Sequence, residues 1–203
     1  MRPTHLEFSP THKHHKMNHI NINYYKTMVG EVILGSFDNK LCILDWRYRR
    51  MRTTIDKRIT TGLKAEYKEQ SDGVIDQTIE QIDEYLLGAR TEFDIPLLMV
   101  GTEFQQSVWS ALLEVPYGKT STYLQLAKKL NNEKAVRAVA SANGANAISI
   151  IIPCHRIIGT NGDLVGYAGG LPTKKRLLVL EKSDCVFDDK AQQQVDWVTE
   201  QDD

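Results

Sequence analysis

Residues 122–158 read TYLQLAKKLNNEKAVRAVASANGANAISIIIPCHRII, and the elements on both sides take their meaning from this stretch. Thr122 followed by Gln125 has the spacing of a capping box, so a short helix is predicted over 123–130. Asn131 and Asn132 leave room only for a tight connection before a second short helix over 134–143, ended by Gly144. Two short helices joined so briefly suggest a helix-turn-helix. The β-branched run ISIII at 148–152 predicts a buried strand that stops at Pro153. Cys154, His155 and Arg156 follow it directly.

The second helix has an unusual surface. Ala135, Val136, Ala138, Val139, Ala140, Ser141 and Ala142 are all small, and Arg137 is the long side chain among them. A helix that reads base edges in the major groove usually carries several Arg, Asn or Gln residues. Small residues instead permit close backbone approach to a narrow groove, and a single Arg can then take the place of a displaced base. The other reading is core packing for the alanines and a surface ion pair for Arg137. Cys154 beside His155 is open in the same way. A thiolate is a nucleophile, and an imidazole held by a carboxylate can generate it. Sequence neighbours need not face one another, so a half-buried structural pair fits equally.

Upstream, Thr102 and Gln105 form a second capping box ahead of a helix over 104–113, and Pro116 and Gly118 break the chain. Residues 20–100 read as a small α+β unit. EVILGSF (31–37) and KLCILDW (40–46) flank Asp38-Asn39 as a hairpin, and Cys42 lies mid-strand as a buried structural thiol. Apolar residues 75, 79, 82 and 86 give an amphipathic helix over 74–87, with Gly88 at the position after its cap. Residues 93–100 read as an extended exit segment. No chemistry is evident in this unit.

The 203 residues suffice for one ordinary domain or two small ones. A hydrophobic fraction of 41% and a charged fraction of 25% indicate a globular chain, and no window approaches the apolar length of a membrane span. Three cysteines (Cys42, Cys154, Cys185) make no disulfide scaffold and point to a reducing compartment. The net charge of −1 is unevenly spread. Residues 101–180 carry nine Lys and Arg against four Asp and Glu, while 181–203 carry two against eight. The basic block is the one to examine for a polyanion. Residues 1–19 hold five of six histidines and read as a disordered tail, with Met17 a candidate original start. Such a tract can also bind metal. Residues 183–203 read as a solvated acidic tail.

Pro153-Cys154-His155-Arg156, flanked by Ile151-Ile152 and Ile157-Ile158, resembles the active-site signature of the O6-alkylguanine-DNA alkyltransferases, or methylated-DNA–protein-cysteine methyltransferases. The likeness extends over 103–181 through Val115-Pro116-Tyr117-Gly118, Thr122-Tyr123, Arg137-Ala138-Val139, Asn143-Gly144, Asn146, Gly166-Tyr167-Ala168-Gly169-Gly170 and Leu180-Glu181. It implies an RNase H-like α+β domain (20–100) followed by a mainly helical, winged-helix-like domain with a helix-turn-helix (101–182).

The resemblance further implies that Cys154 accepts the alkyl group, His155 deprotonates it through a bound water, and Glu181 orients His155. Asn146 would hold the turn before Cys154. Arg137 would fill the gap left by the extruded guanine, and Tyr123 would rotate the nucleotide and donate to N3. Thr122, Ala138 and Ser141 are the other expected DNA contacts. Tyr167, Ala168 and Gly169 would form the pocket lid, and the carbonyls of Cys154 and Ile157 would accept from the exocyclic amine. Gly169 suggests tolerance of bulkier O6 groups. The expected partner is duplex DNA carrying O6-alkylguanine, with O4-alkylthymine a further lesion. No cofactor, metal or membrane is expected, the protein is expected to be a monomer, and its place is the cytoplasm, or the nucleus in a eukaryote. The alternative is a non-catalytic binder of alkylated DNA, against which the presence of Cys154 argues.

Overall fold

The computed structural model describes residues 18–184. The expectations for residues 1–17, for Cys185 and for all but the first two residues of the acidic tail lie outside the described residues.

The amino-terminal unit is built on strands β1 (Asn18–Thr27), β2 (Gly30–Phe37), β3 (Lys40–Trp46) and β4 (Ala65–Glu69), in the order β3-β2-β1-β4. β1 runs antiparallel to β2 and parallel to β4. The hairpin turn forms without glycine, because Asp38 and Asn39 both take the left-handed conformation that a two-residue turn requires (φ 50° and 55°). Helix α1 (Arg52–Leu63) packs on one face of the sheet, where Ile55 and Ile59 meet Ile20, Ile22, Ile33 and Ile43. Helix α2 (Gly73–Leu86) packs on the other, where Ile75 and Ile82 meet Val32, Leu34, Leu41 and Leu44. Asp72 caps α2 by accepting from the Val74 and Ile75 amides. β1, α1 and β4 were not foreseen. β1 also moves the expected tail boundary, since Asn18 and His19 pair with Ala65 and Glu66. Cys42 is buried, as the extra residue of a bulge where Gly35 and Ser36 face Ile43 and Leu41.

The second unit opens with α3 (Glu103–Leu113), whose Thr102–Gln105 capping box forms as expected. Helix α4 (Tyr123–Lys129) begins behind the Thr122–Gln125 box. A 3-10 turn at Glu133–Ala135 leads into α5 (Val136–Gly144). Gly144 therefore belongs to the helix, and the cap is Ala145. Short strands β5 (Ser121–Thr122) and β6 (Ile157–Ile158) pair in parallel, and a loop over 159–170 leads to α6 (Leu171–Leu180). The architecture is an α+β unit followed by a mainly helical unit with two short helices in helix-turn-helix order.

Residues 148–152 are not a strand. They are buried as expected, but they follow a series of turns in which Ile150 has φ 69°. A β-branched residue resists that conformation. Here the edge of β3 holds it in place: Leu44 donates to Ala147 O at 2.9 Å, and Ser149 donates to Leu44 O at 2.6 Å. The two units thereby share one core, in which Leu44, Trp46 and Tyr85 join Ile148, Ile152 and Leu177. Burying each such side chain is worth roughly 1.5–3 kcal/mol, so the second unit is fixed firmly against the first.

Candidate active site

The turn before Cys154 is organised by one carboxamide. Asn146 Oδ1 accepts from the Ile148 amide at 2.9 Å, and its Nδ2 donates to Ile152 O at 2.9 Å and to Cys154 Sγ at 3.2 Å. Cys154 begins a 3-10 turn (Cys154–Arg156) between Pro153 and β6. Burial pushes its thiol up from the ordinary range, and the Asn146 donor pulls the other way. At rest, then, the sulfur is held protonated, and a base is needed to activate it.

His155, the next residue, is fully buried. Its Nε2 lies 2.9 Å from Glu181 Oε1, while its Nδ1 has no partner. Glu181 can only accept, so Nε2 carries the proton and Nδ1 presents a lone pair. Burial lowers the imidazole below its usual value against the pull of Glu181, which keeps it neutral near pH 7. Glu181 caps α6 and is itself saturated with donors. Tyr85 donates at 2.6 Å, Arg156 Nη2 at 2.8 Å, and the Gly118 amide at 3.3 Å. Burial alone would raise this carboxyl, but the bonds from His155 and Arg156 outweigh it and bring it down to about 2. Tyr85 and Arg156 were not among the residues expected here.

Cys154 lies on the wall of a cavity of about 250 Å³. Tyr123, Ala140, Asn143 and Gly144 form one side, and Gly166, Tyr167 and Ala168 another. The amino-terminal unit supplies a third, with Arg49, Arg50 and Met51. A larger cavity, of about 450 Å³, is lined by Pro153 and Arg156 among others and does not reach the thiol. Of the expected pocket residues, Tyr167 and Ala168 line the thiol cavity; Gly169 and Ile157 do not. A Cβ on Gly169 would lie 2.5 Å from the Trp46 indole, so the glycine serves contact between the units and does not make room for a bulkier substituent. The Ile157 carbonyl accepts from the buried Lys174 ammonium, and the Cys154 carbonyl accepts from the Ile157 amide. Each of these carbonyl oxygens has a second lone pair besides the one so used. Lys174 also donates to Val165 O at 2.6 Å, tying the 159–170 loop to β6.

Arg137, Ala138 and Ser141 share the exposed face of α5, while Thr122 and Tyr123 are half-buried at the start of α4. The amino-terminal contribution was missed in the sequence. Arg49 pairs with buried Asp45 at 2.7 Å and donates to the carbonyls of Asn146 (2.9 Å) and Gly144 (2.6 Å). The signal was present as two arginines just after a strand, but their partners lie almost a hundred residues away. Among the described residues there is no group of three or more His, Cys, Asp and Glu that could hold a metal, and no helix is long and apolar enough to cross a membrane.

Two family models match the chain: the 6-O-methylguanine DNA methyltransferase ribonuclease-like domain at residues 20–99, and its DNA-binding domain at residues 103–183. An inducible methylated-DNA–protein-cysteine methyltransferase of Bacillus subtilis is 47% identical over 163 residues, which is 79% of this chain and 84% of that protein. A methylated-DNA–protein-cysteine methyltransferase of Methanosarcina acetivorans is 55% identical over 103 residues, which is 51% of this chain and 66% of the relative. The structure of Mycobacterium tuberculosis OGT in complex with DNA matches with a TM-score of 0.68 at 36% identity, covering 81% of this chain and 92% of that one.

Proposed function

This chain belongs to the methylated-DNA–protein-cysteine methyltransferase family, and we propose that it repairs duplex DNA by moving an alkyl group from guanine O6 onto Cys154. The observation that carries this reading is Cys154 on the wall of a nucleobase-sized cavity, followed directly in the chain by a buried His155 whose ring is paired with Glu181. O4-alkylthymine is a further substrate of the same chemistry. The protein acts as a monomer and works where the DNA is, in the cytoplasm or, in a eukaryote, the nucleus.

In this reading the exposed small-residue face of α5, with Ala138 and Ser141, enters the minor groove, and Thr122 meets the backbone. Arg137 fills the stack as the lesion rotates out, and Tyr123 presses on the target phosphate. The few kcal/mol lost on extrusion are offset by these contacts. Tyr167 and Ala168 close over the base. The Cys154 proton passes to His155 Nδ1 through a water, and Glu181 stabilises the imidazolium that forms. Sulfur then attacks the alkyl carbon in line: a C–S bond forms, the C–O6 bond breaks, and the electron pair stays on guanine. Tyr123 donates to N3, which makes the base a better leaving group. The products are guanine and an S-alkylcysteine. No residue restores the thiol, so each molecule acts once.

The non-catalytic alternative would bind the same lesion and leave it intact. Cys154→Ala separates the two readings. It should abolish transfer of a labelled methyl group from duplex DNA to protein while DNA binding persists. Transfer that survives the substitution would refute the assignment of the acceptor.

A further inference from the structure

Residues 47–52 read RYRRMR and lead from β3 into the first turn of α1; four of the six are arginine. Three of these have carboxylate partners. Arg47 pairs with Glu31, Arg49 and Arg52 pair with Asp45 at 2.7 and 2.9 Å, and Arg52 also reaches Asp56 at 2.8 Å. Arg50 is exposed and makes no ion pair among the described residues. Three carboxylates thus face four guanidiniums, and the surplus charge sits on the one arginine that the fold does not use.

The position of this turn gives the surplus a use. Arg137, Ser141 and Gly144 follow one another at four and three residues along the exposed face of α5. Arg49 donates to the Gly144 carbonyl at 2.6 Å, so the turn abuts the C-terminal end of that face, about 10 Å along the helix axis from Arg137. Arg50 and Met51 line the Cys154 cavity together with Ala140 and Gly144. Both are exposed, whereas Arg49 is buried, so Arg50 stands at the rim of the cavity and Arg49 deeper in. A nucleotide that leaves a duplex to reach Cys154 brings its phosphates with it. The base can enter the cavity, but a charged phosphate stays in water at the rim. A guanidinium there presents a planar fork of donors that matches phosphate oxygens.

We propose that Arg50 is a DNA contact supplied by the amino-terminal unit: its guanidinium binds a phosphate of the lesion strand at the cavity rim, beside the extruded nucleotide. This rests on the reading proposed above, in which α5 faces duplex DNA and the lesion enters the Cys154 cavity. The interface then runs past the C-terminal end of α5 and onto the sheet unit, and the two units grip the damaged strand together.

The test uses the full chain in a Cys154→Ala background, which holds the lesion without consuming it. Binding to a duplex bearing one O6-methylguanine is titrated over a series of salt concentrations. Arg50→Gln should weaken binding about tenfold at fixed salt, the worth of one charge-assisted hydrogen bond. It should also make the slope of log affinity against log salt shallower by about one, as the loss of one phosphate contact requires. Arg50→Lys should keep the slope. Lys40→Gln removes the same charge at the other end of β3, roughly 20 Å away along the strand, and should change neither quantity. Unchanged affinity and slope in Arg50→Gln would overturn the proposal. An equal loss in Lys40→Gln would overturn it too, because the effect would then be one of net charge. Methyl transfer by the wild-type protein is measured on the same duplex. Its absence would overturn the alkyl transfer, while the salt slopes would still decide the phosphate contact.

Discussion

Arg49 donates to the main-chain carbonyl of Asn146 at 2.9 Å, across the boundary between the two units. Asn146 in turn holds the Cys154 sulfur through its side chain. The reactive turn is thus pinned at one residue from two directions: by a guanidinium of the sheet unit and by its own carboxamide. Arg49 stays in place because Asp45, fully buried on β3, binds it at 2.7 Å.

Arg49→Met should therefore act on both stability and chemistry. Asp45 keeps Arg52, at 2.9 Å, but loses its buried partner. Breaking a buried pair costs about 3–5 kcal/mol. The thermal midpoint should fall by roughly 6–20 °C, on a scale of 2–4 °C per kcal/mol for a chain of this size. Below that midpoint, transfer should be slower than in the intact protein. A midpoint within a degree of the original would contradict the pinning role.

Glu181 makes the fold acid-sensitive in a definite direction. Its carboxyl falls from 4.5 to about 2 on folding. A lowered acid pKa stabilises the folded state fully above the unfolded value, and that stability is lost as pH falls through the folded one. The contribution is on the order of 3 kcal/mol, present above about pH 4.5 and draining away towards pH 2. Denaturant titrations between pH 7 and pH 2.5 should show this loss. Glu181→Gln should flatten the profile and lower stability at pH 7, because buried Arg156 is left unpaired. An unchanged acid limb in that variant would count against the assignment.

Gly169→Ala tests the seam between the loop and the sheet. The added methyl would meet the Trp46 ring at 2.5 Å. Overpacking of this kind costs about 1–3 kcal/mol. The expected result is a lower midpoint that Trp46→Leu restores in the double variant. If the two losses simply add, the contact is not the reason for the glycine.

The sequence spoke most clearly where structure is local. Both capping boxes lie within four residues, and both form. The Asp38-Asn39 turn and the α2 periodicity are local in the same sense. The run 148–152 misled because five β-branched or small residues are equally at home in a buried turn, and the force that bends them comes from β3 and from Asn146. Helix α1 buries only Ile55 and Ile59, too sparse a stripe to stand out, and β4 is a polar edge strand. At the site, Cys154 and His155 were visible as neighbours, whereas Glu181 could be named only through the family resemblance. Asp45, Arg49, Tyr85 and Trp46 reach the site by tertiary contact, and no local pattern announces them.

The most direct measurement is the intact mass of the protein after incubation with duplex DNA bearing a single O6-methylguanine. The account predicts a gain of one methyl group per chain, located on Cys154, that saturates at one equivalent of DNA and leaves unmodified guanine behind. An unchanged mass with the lesion intact, or repair of many lesions by one protein molecule, would contradict it.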